Sequence, residues 1–81
     1  MVWFVPRPQK ADDVFRILRE HDSRFDFYSN RGKGSHRMIY HPNIDGKPRS
    51  FPIPYHKGRD IQKGLLRSLI RRFNLPTNIF G

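Results

Sequence analysis

Residues 32–37, with the sequence GKGSHR, bring together backbone freedom, positive charge and one histidine, His36. Glycine lets the backbone approach a bound phosphate closely. An imidazole among cations can take a proton from an RNA 2′-hydroxyl while the cations stabilise the charged phosphorane. Four neighbours of this histidine are candidate phosphate ligands: Lys33, Gly34, Ser35 and Arg37. On these residues alone, a flexible basic turn, a phosphate-binding turn and a catalytic site are three open alternatives.

The four histidines, in a chain without cysteine, do not have the spacing of a metal site. His36 and His41 lie five residues apart on a predicted strand, so their side chains should point to opposite faces. No cysteine and no cluster of acids completes a ligand set. We therefore expect no metal and no other cofactor. His21 falls on the apolar side of the first predicted helix, where we expect a packed or capping residue.

The charge of the chain is strongly uneven along its length. The 81 residues carry a net charge of +9, but residues 1–30 contain five cations and five acids. Residues 31–81 contain eleven cations and two acids, so they carry the whole excess. This asymmetry predicts attraction to a polyanion, mainly through phosphate contacts that salt weakens. A charge that only keeps the protein soluble is the alternative.

The length of the chain predicts one small domain over residues 1–81 with a single modest core. The absence of cysteine favours a reducing compartment. The apolar run 2–5 stops at Pro6, which makes it too short for a signal segment or a membrane span. We expect a cytoplasmic protein without membrane contact, with irregular tails over residues 1–8 and 75–81.

Hydrophobic periodicity predicts how these residues are positioned. The predicted order is a helix over 10–21, strands over 24–29, 34–41 and 49–55, and a helix over 60–73. This order predicts an α+β fold, α-β-β-β-α, in which a three-stranded antiparallel sheet carries both helices on one face. The other face of the sheet is then left open.

Turn and strand signals refine this prediction. The Asp-Gly pair within residues 43–47 predicts a hairpin between the second and third strands. Pro52 and Pro54 cannot donate hydrogen bonds, so the third strand is expected at an edge of the sheet. Asn74 followed by Pro76 predicts the end of the second helix.

The second predicted helix has a basic stripe with cations every four residues: Arg59, Lys63, Arg67 and Arg71. Lys63 and Arg67 are candidate phosphate ligands, because this helix belongs to the basic part of the chain. A solvated surface is the alternative interpretation of the stripe.

Two longer motifs carry a family resemblance. The sequence GSHRMIYHP spans residues 34–42, and IPYHKGRDIQKGLLRSLIRRF spans residues 53–73, in that order after a short first helix. With these motifs the chain resembles the HicA-type mRNA interferase toxins over roughly residues 10–75. The second motif, a Pro-x-His-x-Gly turn followed by Ile-x-x-Gly and Leu-Arg-Ser, is the more specific.

The resemblance implies a double-stranded-RNA-binding-domain-like fold and a toxin of a type II toxin–antitoxin system. It also implies a ribonuclease that cleaves mRNA without a metal, with His36 as the catalytic residue. The Pro-x-His turn of the family corresponds to residues 54–56, so His56 is a structural or phosphate-contacting candidate, with Lys57 beside it. The implied partner is a HicB-type antitoxin that occludes the site. We expect a monomeric free toxin and a hetero-oligomer with the antitoxin.

The face of the sheet that carries His36 depends on which residue of its strand enters the core. If Ile39 packs under the helices, the two-residue period of a strand places His36, Met38 and Tyr40 on the open face. Tyr40 can then stack on a base. If Met38 is the core residue instead, His36 turns inward or lies on a bulge.

Two other functions are compatible with a basic domain of this fold. A double-stranded-RNA-binding domain recognises mainly shape and 2′-hydroxyl groups, so the same surface can bind RNA without cutting it. A DNA-binding regulator is less favoured, because neither helix has the pattern of a helix-turn-helix recognition helix.

Overall fold

The computed structural model describes residues 9–29, 36–55 and 58–81. The predicted tail over 1–8 and the predicted turn over 30–33 therefore lie outside the described residues. So do five of the predicted phosphate ligands: Lys33, Gly34, Ser35, His56 and Lys57.

The described chain has five short strands and two helices. Their order is β1 (Gln9–Lys10), α1 (Ala11–His21), β2 (Asp26–Ser29), β3 (His36–Ile44), β4 (Lys47–Pro54), β5 (Asp60–Ile61) and α2 (Lys63–Arg72). Strands β2, β3 and β4 form the predicted three-stranded antiparallel sheet, in that order. The predicted α+β class and the α-β-β-β-α order are confirmed.

Helix α1 is amphipathic, as its sequence predicts. Ala11, Val14 and Leu18 follow each other at helical spacing and are buried. Acids occupy the first turn, where the helix dipole favours them. Of the two alternatives for His21, a packed or a capping residue, the packed one is wrong, because this last helical residue is exposed. Phe25, in the connection to β2, is buried at 2% exposure and contributes to the core after the helix has ended.

The predicted hairpin is tighter than residues 43–47 suggested. Asp45 and Gly46 have φ angles of 53° and 85°, and Ile44 pairs directly with Lys47 across a two-residue turn. Positive φ at both central positions is the pattern of a type I′ turn, whose twist matches that of the strands. Strands β3 and β4 therefore extend further towards the turn than predicted. Strand β4 lies at the edge of the sheet, as its prolines indicated.

Helix α2 begins at Lys63 rather than at residue 60, because Asp60 and Ile61 form β5. This strand pairs antiparallel with β1, matching Ile61 with Gln9 and Asp60 with Lys10. Arg59 therefore precedes the helix, and the prediction that it belongs to the basic stripe of α2 is wrong.

The end of α2 follows the predicted stop. Asn74 has a φ angle of 52°, and the Leu75 N–H donates to the Ile70 carbonyl at 2.9 Å. This bond defines a Schellman motif, with asparagine in the position that usually holds glycine. Residues 77–80 then form a turn, and both Leu75 and Phe80 are buried.

One hydrophobic core lies between the sheet and the two helices. Val14 and Leu18 of α1 and Leu66 and Leu69 of α2 belong to the same buried cluster as Ile39 of the sheet. Both helices therefore cover one face of the sheet. Among the described residues, no helix is long and apolar enough to cross a membrane.

Gly46 and Gly64 should respond in opposite directions to the same substitution. A Cβ atom at either position would meet no atom within 4 Å, but Gly46 has a φ of +85° and Gly64 lies in helix α2. Gly46→Ala should lower the free energy of unfolding by about 1–2 kcal/mol, because L-residues are strained in this region. Gly64→Ala should raise it by up to about 1 kcal/mol through helix propensity. Urea denaturation of both variants measures the two changes, and equal signs would contradict the assignment of the turn.

Candidate nucleic-acid interface

The burial of Ile39 decides which face of β3 carries His36. Ile39 has no exposed surface, whereas Met38 and Tyr40 on either side of it are half-buried. The pairing of β3 with β4 is regular from His36 to His41, so the alternation of side chains is unbroken over this stretch. His36, Met38 and Tyr40 therefore lie on the face of the sheet that neither described helix covers, which we call the helix-free face. The first of the two alternatives for this strand is confirmed.

The helix-free face carries apolar and aromatic groups from all three strands. Tyr28, Met38 and Pro52 occupy one cross-strand row, and Tyr28 is 47% exposed. Tyr40 lies in the next row, and His36 is paired with Pro54 at the other end. Exposed aromatic rings on a sheet are platforms on which single-stranded bases stack.

Arg37 lies on the opposite face from His36, although the two residues are adjacent in the sequence. Its guanidinium lies 4.5 Å from the centre of the Tyr55 ring, and its Nη1 donates to Ser29 Oγ at 3.1 Å. The Tyr55 hydroxyl in turn donates to the Asp12 carboxylate of α1 at 3.2 Å. Arg37 therefore links the sheet to α1 through Tyr55, and the structure does not bring its side chain together with that of His36.

The two predicted phosphate ligands of α2 lie on different turns of that helix. Lys63 is exposed at the first position, directly after Gln62. Gln62 and Pro54 line the same cavity, so the start of α2 is close to the cross-strand partner of His36. Arg67 is one turn further along and half-buried, and its Nε is buried without a hydrogen-bond partner among the described residues.

Sequence reasoning missed a hydrogen-bonded pair formed by a buried histidine, His41, and a partly exposed carboxylate, Asp22. His41 is 1% exposed, and its Nε2 lies 2.8 Å from Asp22 Oδ2. The backbone N–H of Asn43 donates to His41 Nδ1 at 3.0 Å, so Nδ1 is an acceptor and the hydrogen-bond network assigns the proton to Nε2. The sequence gives only a weak signal for this pair, because an acid directly after a helix and a histidine on a strand are both common. In addition, Asp22 and His41 lie 19 residues apart in the chain.

The carboxylate of Asp22 is held by Arg24 as well as by His41. Arg24 donates through its side chain at 2.9 and 3.1 Å and through its backbone N–H at 3.0 Å. The hydrogen bonds from Arg24, and after them the one from His41, hold the pKa of the Asp22 carboxyl well below its usual range. An aspartate that orients a histidine is familiar from hydrolases. Here the imidazole has almost no exposed surface and its edge packs against the Phe25 ring at 4.7 Å, so the pair stabilises the fold.

Within residues 9–29, 36–55 and 58–81, no group of three or more histidine, aspartate or glutamate side chains is arranged to hold a metal ion.

The fold and the helix-free face define a small basic α+β domain, with a histidine and tyrosines on the face of the sheet that neither described helix covers. A family model described as the HicA toxin of bacterial toxin–antitoxin systems matches residues 11–75. The chain belongs to this family. No curated protein and no solved structure matches the chain. The matched range starts at the first residue of α1 and ends just beyond α2, so it covers both helices and the three-stranded sheet.

Membership of the family establishes the general role of the chain. It is the toxin of a toxin–antitoxin pair, a class of protein that acts on RNA, generally as a ribonuclease, and that is paired with an antitoxin.

The Asp22 carboxylate should make stability depend on pH in the acidic range. The native pKa of Asp22 is lower than its pKa in the unfolded chain, which is about 3.9. The contribution of Asp22 to the free energy of unfolding is therefore complete above the unfolded pKa and is lost as pH falls towards the native pKa. Asp22→Asn should therefore be most destabilising near neutral pH, and its difference from wild type should shrink between about pH 5 and pH 2. Thermal unfolding of both proteins across this range provides the measurement.

Asp13→Asn is the matched control for this experiment, because the Asp13 carboxylate forms an ion pair with Arg16 at the longer distance of 3.7 Å. It should change stability little at any pH. A penalty for Asp22→Asn that is the same at both ends of the pH range would contradict the role given to this carboxylate.

Proposed function

We propose that this chain is a metal-independent endoribonuclease that cleaves mRNA, with His36 as the catalytic residue. The observation that carries the proposal is the position of His36 on the helix-free face, half-buried beside Met38 and Tyr40. His41 is enclosed in the core and His21 lies at the end of α1. Among the described histidines, His36 therefore combines access to a large ligand with a formed surface around it.

The reaction that suits this histidine is transfer of the phosphodiester to the neighbouring 2′-oxygen. His36 takes the proton from the 2′-hydroxyl, whose oxygen attacks the phosphorus, and the bond to the 5′-oxygen breaks. The products are a 2′,3′-cyclic phosphate and a 5′-hydroxyl, after the leaving oxygen has received a proton from a second group. Every atom transferred comes from RNA and from proton donors, so the scheme needs no metal, in agreement with the family resemblance.

The phosphate is held, in this proposal, by the basic residues that the sequence indicated. Lys63 follows Gln62 at the start of α2, and Gln62 lines the same cavity as Pro54, the cross-strand partner of His36. The remaining candidates are Lys33, Gly34, Ser35, His56, Lys57 and Arg67. Arg37 is left out of this set, because its guanidinium packs on Tyr55 on the other face of the sheet. Tyr28 and Tyr40 supply stacking surfaces for the flanking bases.

A HicB-type antitoxin is the partner we propose, covering the helix-free face and so denying RNA access to His36. The free toxin is then a monomer, and the hetero-oligomer forms on this face. Since mRNA is the substrate, the cytoplasm is the proposed location.

Binding without cleavage is the second candidate function. It is favoured by the apolar character of the row formed by Tyr28, Met38 and Pro52, which suits stacking whether or not chemistry follows.

His36→Ala should abolish cleavage while leaving RNA binding in place. Removal of a general base costs typically 10²- to 10⁴-fold in rate, whereas the cations and tyrosines that bind RNA are unchanged. Cleavage of a labelled oligoribonucleotide in the presence of EDTA, followed on a gel, measures the rate, and a filter-binding assay measures affinity. His21→Ala is the matched control and should cut at the wild-type rate. Cleavage by His36→Ala at the wild-type rate would show that another residue is catalytic.

Lys63→Gln should weaken RNA binding to a similar degree for all sequences. A phosphate contact contributes through counterion release, so the slope of log K against log salt should fall by about 1. Arg16→Gln removes the same charge from α1 in the electrically neutral part of the chain and should leave the slope unchanged. Equal slopes for Lys63→Gln and wild type would remove Lys63 from the interface.

A further inference from the structure

A cavity of about 440 Å³ opens at the end of β4, where the chain passes from the sheet towards α2. Of the residues that the structure describes, six line it: Pro54, Arg59, Asp60, Ile61, Gln62 and Leu65. The volume lies within the range of roughly 300–1,000 Å³ that is usual for sites that bind small organic groups. Three of these lining residues are apolar and three are polar, so the cavity offers both a flat apolar contact and hydrogen-bonding groups.

The cavity begins directly beside the proposed catalytic histidine. Pro54 is the cross-strand partner of His36. Residues opposite each other on antiparallel strands project from the same face, with Cβ atoms about 4.5–5.5 Å apart. One wall of the cavity is therefore within a side-chain length of the imidazole, and the two can contact neighbouring parts of one nucleotide.

Asp60 is an unexpected residue in a phosphate-binding surface. Residues 31–81 contain only two acids among eleven cations. The other acid, Asp45, accepts a hydrogen bond from Asn74 at 2.6 Å beside the hairpin. Asp60 instead lies on the wall of the cavity, more than half exposed, and its ion pair with Lys10 is long at 3.6 Å. Because a carboxylate repels phosphate, Asp60 suits a ligand group that donates hydrogen bonds.

Gln62 supplies a second hydrogen-bonding group on the same side of the chain. Asp60 lies in β5 and Gln62 has extended backbone angles, φ −70° and ψ 154°, so residues 60 and 62 project in the same direction. The Gln62 side chain does not cap α2. Its amide is therefore not needed at the helix start and can face a ligand beside the Asp60 carboxylate.

We propose that this cavity binds the base of the nucleotide next to the scissile phosphate and that it selects guanine. The Asp60 carboxylate accepts from the adjacent N1–H and N2–H donors of guanine, and the Gln62 amide donates to O6. Pro54 and Leu65 form apolar walls for the flat ring, and Arg59 lies at the cavity to meet a phosphate. This inference rests on the proposed function for its link to cleavage, but the binding of guanine can be measured separately.

The test uses His36→Ala protein labelled with ¹⁵N and titrated with guanosine and uridine 5′-monophosphates. Guanosine monophosphate should shift the backbone amides of Ile61, Gln62 and Leu65. It should bind about 5- to 150-fold more tightly than uridine monophosphate, the range expected for a good two-donor contact. Asp60→Asn in the same background should remove this preference. The amide spectrum of each variant also reports whether it is folded.

Asp13→Asn in the same His36→Ala background is the matched control, because it makes the same change of charge on α1. Both variants increase the net positive charge, which by itself strengthens phosphate binding. A loss of affinity for guanosine monophosphate in Asp60→Asn alone is therefore specific to the base. Equal affinities for the two nucleotides, or an unchanged preference in Asp60→Asn, would overturn the guanine site.

A cleavage assay separates this proposal from the proposed function. Wild-type protein should cut a randomised RNA pool with guanine preferred about 5- to 150-fold at one position next to the cut. Leu65→Trp, which fills the cavity, should remove most of that preference. If the pool is cut and Leu65→Trp leaves the preference unchanged, the site is wrong and the ribonuclease stands. If the pool is not cut while guanosine monophosphate shifts the three amides, the site stands and the ribonuclease is wrong.

Discussion

The burial of Ile39 between the sheet and the helices is the contact on which the rest of the interface depends. Ile39 lies in the central strand of the sheet, paired with Phe27 on one side and Phe51 on the other, and has no exposed surface. A slip of one residue along β3 would expose the Ile39 side chain, and it would move every side chain of the strand to the opposite face of the sheet. The same slip would bury His36. The hydrophobic core therefore fixes which of the basic and polar residues of β3 can meet a ligand.

This constraint gives the histidines of the described chain different roles. His41 lies on the same face as Ile39 and is buried there, and a buried imidazole needs hydrogen-bond partners. Asp22 and Asn43 supply these partners. His36 falls on the other face, where no helix covers it. The alternation of side chains along β3 thus separates two histidines of one strand, one buried in the core and one on the helix-free face. The adjacent Arg37 shows the same effect, since its guanidinium packs on Tyr55 on the helix side.

Much of the fold could be predicted because its signals are local. The apolar period of α1, the Asp-Gly pair at residues 45–46 and the prolines of β4 each determine the conformation of their own segment. The pairing of β1 with β5 could not be predicted, since two residues have no period and the contact joins segments about 50 positions apart. The link between Asp22 and His41 also requires the tertiary structure. For the interface, the sequence motif indicated His36. The face on which His36 lies could be assigned only from the packing of Ile39, and the cavity beside it could be found only once β5 was seen to hold Asp60 in an extended conformation.

Cleavage of two oligonucleotides that differ in one atom tests the central claim most directly. The wild-type protein should cut an oligoribonucleotide and leave uncut the same molecule with a 2′-deoxy sugar at the cleaved position, because the attacking oxygen is then absent. The cut ribose product should end in a 2′,3′-cyclic phosphate, with a 5′-hydroxyl on the other fragment. Cleavage of both molecules at equal rates, or a product with a free 3′-hydroxyl, would show that His36 does not activate a 2′-hydroxyl.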